Sequence, residues 1–220
     1  MKKIFITTVF ILTLTLGHTQ IIKSIGIKSG LTFANQDWTY SPINFPQDKH
    51  YKTGLYEALT LEFFNHKHFS LVTDLSFNQK GYKETVLERT VDQPEGTGQY
   101  ITINSTFNFI TLCPMLKYRV DIKSFSPYIF AGPRIDYYTS YSSYANFSLT
   151  EKDFTKPIFG LTSGVGIEYK KNKIGIMIEG QYLSDFSHFY KNTVPNGVSL
   201  TIDNKAFAVS LGIKYYFGKK

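Results

Sequence analysis

The chain has 220 residues, 42% hydrophobic and 19% charged, a balance that suits a folded protein and argues against intrinsic disorder. Phe and Tyr supply 19 and 16 residues and Trp only one, which favours strands over helices. The formal charge of +7 is mild and comes without the Lys/Arg runs that nucleic acid requires, and a single cysteine, Cys113, excludes an internal disulfide.

The first segment, MKKIFITTVFILTLTLGHTQ, sets two lysines before an apolar run from Ile4 to Leu16 and then breakers. It reads as a signal peptide over 1–19, cleaved near 19/20 or 20/21, because the run is too short to span a bilayer comfortably. No cysteine follows the run, so a lipoprotein anchor is excluded. Residues 20–220 then form the mature domain, and loss of Lys2 and Lys3 leaves 22 bases against 17 acids.

From there on alternation replaces any period of 3.6 residues. It predicts eight strands, at 23–33, 53–64, 68–82, 105–119, 125–139, 157–170, 173–185 and 205–217. The links alternate in kind. Short polar turns occur at 65–68, 121–124 and 170–173, and long segments at 34–52, 83–104, 140–156 and 186–204 hold Pro42, Pro46, Pro94 and Pro195. Short turns alternating with long loops predict an all-β fold: an eight-stranded antiparallel up-and-down transmembrane β-barrel with periplasmic turns and extracellular loops. An even strand number puts both termini in the periplasm.

Parity sorts the strand residues into two faces. One face is almost wholly apolar; the other carries glycines, small polar residues, and Lys28, Lys80, Lys117, Arg134 and Lys214 with Glu62, Asp74, Asp136, Glu168 and Glu179. Five charges of each sign suit the filled interior of a narrow barrel, where ions survive only as pairs. A soluble barrel or sandwich with the charged face in water has the same alternation. Aromatic placement separates the two. Phe63, Phe69, Tyr118, Phe125, Tyr169, Tyr215 and Phe217 lie beside the short turns, and Phe33, Phe77, Tyr137, Phe159, Tyr182 and Phe207 at the far ends. Two rings flanking an aliphatic belt are what interfacial girdles look like. From Phe207 to Phe217 a tilted strand rises roughly 25 Å, the height of an apolar band.

The stretches at 60–82 (TLEFFNHKHFSLVTDLSFNQKGY), 109–118 (FITLCPMLKY), 126–138 (SPYIFAGPRIDYY), 160–169 (GLTSGVGIEY) and 210–217 (SLGIKYYF) resemble the PorT-like outer-membrane β-barrel proteins of the Bacteroidetes. The likeness covers Lys23 to Phe217 and implies the barrel fold, with a link to protein secretion as an inherited association. The family's strand-three glutamate is matched by Asp74, its strand-four glutamate is Thr111, and its proline there is shifted to Pro114. The resemblance also reads Ser210, Gly212, Tyr215 and Phe217 as the closing signal used by barrel-assembly machinery, with Gly218–Lys220 a short basic tail.

Chemistry-bearing residues are few. His66 and His68 form an H-x-H pair in a polar turn without a third ligand, so no metal site and no cofactor is expected. Ser187 and His188 are neighbours, but adjacent strand residues point apart and no G-x-S-x-G is present. Cys113 has inward parity and reads as packing. Glu57 stands on the apolar face, either at the external rim or re-aimed by a bulge. Trp38 falls in the first long loop with Tyr40 and Phe45, as loop packing or a ligand contact.

The expectation is a non-enzymatic barrel of the Gram-negative outer membrane with no catalytic residues and a plugged, charge-paired interior. It would act through external loops or a partner in envelope integrity, attachment or export. Its partners are outer-membrane lipid and lipopolysaccharide, the assembly machinery, and a secretion or surface partner still to be named. The alternatives are a narrow small-solute pore and an envelope enzyme such as a lipid A hydrolase.

Overall fold

In the computed structural model, residues 22–42, 49–88, 92–143, 154, 157–193, 197 and 199–217 are described. The signal segment 1–19, its cleavage sites, Phe45, Pro46, Pro195 and the tail Gly218–Lys220 lie outside the described residues.

Ten strands follow in chain order: β1 (Ile22–Ser41), β2 (Lys49–His50), β3 (Lys52–His66), β4 (Phe69–Leu87), β5 (Tyr100–Arg119), β6 (Phe125–Ser143), β7 (Ile158–Lys171), β8 (Ile174–Asp185), β9 (Tyr190–Thr193) and β10 (Ser199–Tyr216). Eight long strands run antiparallel, each beside its sequence neighbour, and β1 closes on β10 from Ser24 opposite Tyr216 to Ser41 opposite Ser199. The count differs from eight because two loops contribute short strands: β2 pairs with β4 and β9 with β10. Following the ladder around from Ser29, one direction reaches Tyr137 through Glu57, Phe77 and Ile110. The other reaches Pro127 of the same strand through Leu211, Ile178 and Ile167, ten residues away. Eight strands with that stagger tilt by about 40° and enclose a lumen that side chains fill.

The short turns join β3 to β4, β5 to β6 and β7 to β8, so they share one end of the barrel with the outer ends of β1 and β10. Lys67, Lys123 and Asn172 each take a positive φ there, as tight hairpins demand. One extra residue, Phe64 (φ 41), bulges out of β3 and stands 60% exposed.

At the opposite, loop end the strands run well past the predicted limits. β1 ends at Ser41 rather than 33, β4 at Leu87 rather than 82, β6 at Ser143 rather than 139, while β5 begins at Tyr100 rather than 105 and β10 at Ser199 rather than 205. Backbone pairing does not stop where the apolar belt does. Beyond Phe33 the ladder to β10 continues through Asp37 opposite Asp203 and Thr39 opposite Thr201. Trp38 and Tyr40 therefore belong to β1, not to a loop.

Inside, bulk is accommodated by local absence of side chain. Tyr128 and Phe130 lie across Gly166 and Gly164 of the neighbouring strand, where an added Cβ would sit 2.5 and 2.4 Å from the rings. Gly81 (φ +143) is another close approach: a Cβ would meet the Ser105 carbonyl at 1.9 Å.

Candidate functional site, a filled lumen

All ten charged residues assigned to the inner face are at most 4% exposed, and they sort into three layers along the lumen. At the turn end, Glu62 accepts from Lys214 at 3.0 Å and Arg119 at 3.2 Å, with Lys117 at 3.9 Å. Glu168 faces Lys117 and Lys214, each at 3.5 Å, and accepts from the Tyr216 hydroxyl. In the middle, Lys28 lies 2.7 Å from Asp74 and 2.5 Å from Glu179, while Tyr56 and Tyr128 donate to the same two carboxylates. Toward the loop end, Arg134 bridges Asp136 and Asp185, each at 2.5 Å, and Lys80 adds to both. Thr111, where the family resemblance calls for an acid, donates to Asp136 at 2.7 Å. The acids of that layer are thus supplied by β6 and β8.

Arg119 and Asp185 were not among the predicted inner charges. Both share parity with residues that were, Lys117 and Glu179, but stand at strand ends where a turn or loop was expected to begin. With them the three charged layers hold, among the described residues, six bases and six acids. Such complete compensation is what makes buried ions tolerable; each partner removed leaves a charge with no water to solvate it.

Above the charged layers the lumen turns aromatic. Tyr82, Phe107, Phe109, Tyr138, Ile158 and Ile202 point inward from the walls and pack with Phe154, Phe189 and Tyr190. Phe154 and Phe189 stack at 4.6 Å with planes 5° apart, and Phe189 meets Phe107 edge-on at 4.9 Å. Trp38, partly buried against this cluster, and Tyr82 hold the Lys49 ammonium over their rings at 4.1 and 4.2 Å, and Glu84 pairs with it at 2.9 Å. Burial lowers the Lys49 pKa below the ordinary lysine range, and Glu84 pulls it partly back. The sequence carries a signal for this plug: beyond the belt the same parity stays inward but polarity changes sides, with Trp38 and Tyr40 inward and Asp37 and Thr39 outward.

The thirteen girdle residues all stand on the outer face; Phe63 and Phe77 are half-buried and the rest exposed. Tyr215 and Phe217 touch edge to face at 5.4 Å, and Ser210 and Gly212 of the same strand face inward.

Glu57 corrects both of its readings. It lies neither at the rim nor on a bulge, but pairs in register with Ser29 and Phe77 and faces outward between Leu55 and Leu59. Leu31 and Phe33 continue the outer face of β1 beyond Ser29, so the carboxylate sits within the apolar belt. Its Oε1 accepts a 2.8 Å bond from the Ser29 hydroxyl.

The remaining chemistry-bearing residues are held by separate partners. Ser187 Oγ accepts from the Phe159 amide at 2.8 Å, whereas His188 Nδ1 faces Asp203 at 2.7 Å. His68 Nδ1 lies 3.3 Å from the Arg119 carbonyl, and Cys113 is buried among Val72, Met115, Tyr128 and Phe130. Among the described residues no three His, Cys, Asp or Glu side chains gather as metal ligands.

Residues 22–191 match the model of the outer membrane protein beta-barrel domain. The chain belongs to that family. Solved structures place the barrel domain among outer-membrane folds at low identity. The outer membrane protein AlkL, solved in lipid bilayers, has a TM-score of 0.53 at 14% identity over 92% of this chain and 93% of its own. Neisserial surface protein A has a TM-score of 0.51 at 12% identity over 88% and 97%. No curated protein sequence matches. At these identities the likeness establishes the fold of the barrel domain and nothing finer.

Proposed function

We propose that this outer-membrane barrel is a closed, non-enzymatic scaffold that acts through its loop end or a partner in envelope integrity, attachment or PorT-like export. The short turns and both termini face the periplasm and the loops face outward. The observation that carries this reading is the lumen: three compensated charge layers capped by an aromatic plug occupy the path a solute would take. Planar-bilayer recording tests it. The expected trace has no stable open level of porin size, and such a level would replace the scaffold by a pore. Orientation is tested with Lys67→Cys and an impermeant maleimide, which should label the turn only after the outer membrane is opened. Unchanged lipid A mass spectra on deletion and overexpression are the outcome expected of a non-enzyme.

A further inference from the structure

Charge is distributed unevenly along this barrel. Among the described residues the six bases and six acids of the three lumen layers cancel. At the turn end, however, Lys23, Lys67, Lys123, Lys170, Lys171 and Lys173 face a single acid among the described residues outside the lumen, Asp121. Lys219 and Lys220 follow Phe217 in the sequence.

Part of this surplus surrounds a depression. A polar hollow of about 310 Å³ opens at the turn-end mouth, lined among others by Arg119, Lys123, Ser124, Lys170 and Asn172. Its two acids are already engaged. Glu168 is held by Tyr216, Lys117 and Lys214, and Asp121 accepts a 2.6 Å bond from Ser126. The Arg119 guanidinium gives Nη1 to Glu62, but its buried Nε has no hydrogen-bond acceptor; the nearest carboxylate, of Asp121, stands 3.6 Å away. Among the described residues neither Lys123 nor Lys170 has an ion-pair partner, and the Lys170 ammonium rests 3.8 Å over the Tyr216 ring. Since Tyr216 is an inward residue, that contact holds the charge over the mouth and away from the barrel's lipid-facing flank.

We infer that the turn-end mouth binds an acidic peptide segment, with a carboxylate seated between Arg119, Lys123 and Lys170. A guanidinium with a spare N–H, two ammonium groups and the hydroxyl and amide of Ser124 and Asn172, beside two acids already engaged, make a donor-rich environment of the kind carboxylates fill. The hollow is too small for a folded surface and suits side chains of an extended strand, with the outer lysines engaging further acids. Headgroups at the flank lie beside Lys171, on the outer face, rather than in the hollow. The partner's compartment rests on the orientation proposed above: a periplasmic protein with an acidic tail or linker.

The test uses the full barrel in nanodiscs of neutral phosphatidylcholine and a fluorescein-labelled hexaglutamate, read by anisotropy. Hexaglutamate should bind and hexaglutamine should not. Lys123→Glu with Lys170→Glu should weaken binding by about tenfold or more, and Lys170→Arg should retain it. Lys191→Glu, at the loop end, should leave it unchanged. Both lysines of the double variant are exposed, and heat-modifiable migration in gels verifies that the variant is folded. Equal binding of the two peptides, an unaffected double variant, or equal loss in Lys191→Glu would overturn the site. Loss of wild-type binding on exchange into phosphatidylglycerol discs would assign the charges to lipid headgroups and overturn it too. An inverted outcome of the maleimide labelling would change the partner's compartment while leaving these peptide results intact.

Discussion

Lys214 of β10 reaches across β1 to donate to Glu62 of β3 at 3.0 Å. It crosses at Gly26, the residue opposite Lys214, where an added Cβ would lie 2.7 Å from the lysine Cγ. The ion pair therefore spans the seam at which the barrel closes, and glycine leaves the gap it needs. Glu62→Ala should destabilise the barrel by about 3–5 kcal/mol, because Lys214, Lys117 and Arg119 all lose a buried carboxylate. Urea unfolding in detergent micelles measures it. A midpoint that does not move would show that water or a neighbouring acid replaces Glu62.

The lipid-facing carboxylate of Glu57 makes the opposite prediction. Among the described residues it accepts one hydrogen bond, from the Ser29 hydroxyl, and its outward neighbours Leu55 and Leu59 are aliphatic. Acids on the lipid face cost less than bases but still cost, so Glu57→Leu should stabilise the isolated barrel by about 1 kcal/mol or more. The same unfolding assay decides it. Destabilisation would mean that the acid holds the β1–β3 pair together.

Much of this was legible because a barrel strand in a membrane has one simple rule per face. Lys28, Glu62 and Lys214 could be assigned inward by parity alone, since the opposite parity was almost wholly apolar through the belt. The rule depends on lipid, and it fails where lipid ends. Past Phe33 the outer residues Asp37 and Thr39 meet water while Trp38 and Tyr40 turn inward, so apolar and polar exchange sides and the alternation reads as a loop. Asp185 was lost at that boundary and Arg119 at the turn boundary. Glu57 failed differently: its face was legible, but its height depends on the register with Ser29, which no single strand encodes.

The aromatic plug joins loop residues to the wall. Phe189 is fully buried against Phe107, Phe109 and Phe154, yet it lies between β8 and β9, outside the long strands. Removing such a ring costs about 3–5 kcal/mol, and here the cost falls on the attachment of the loop rather than on the barrel ladder. Phe189→Ala should speed tryptic cleavage after Lys191 severalfold while the barrel keeps its heat-modifiable migration. Unchanged cleavage would show that β9 pairing with β10 suffices to hold the segment.

Lys49 offers a pH test at the loop end, outside the spanning ladder. Burial favours its neutral form, so its folded pKa is below that of an unfolded lysine and its charge is lost first as pH rises. The sign follows from linkage. A lowered lysine pKa is a cost to folding that is complete below the folded value and is relieved as pH climbs toward the unfolded one. The local contacts behave in the reverse sense, because the pair with Glu84 and the stack on Trp38 need the ammonium. Trp38 is the single tryptophan of the chain, so its emission should report a transition below the ordinary lysine range that Lys49→Met abolishes. Glu84→Gln should move that transition to still lower pH, since Glu84 is the group that raises the Lys49 pKa. A transition that stays in place or moves upward in Glu84→Gln would show that burial between the two rings, and not the carboxylate, governs this lysine.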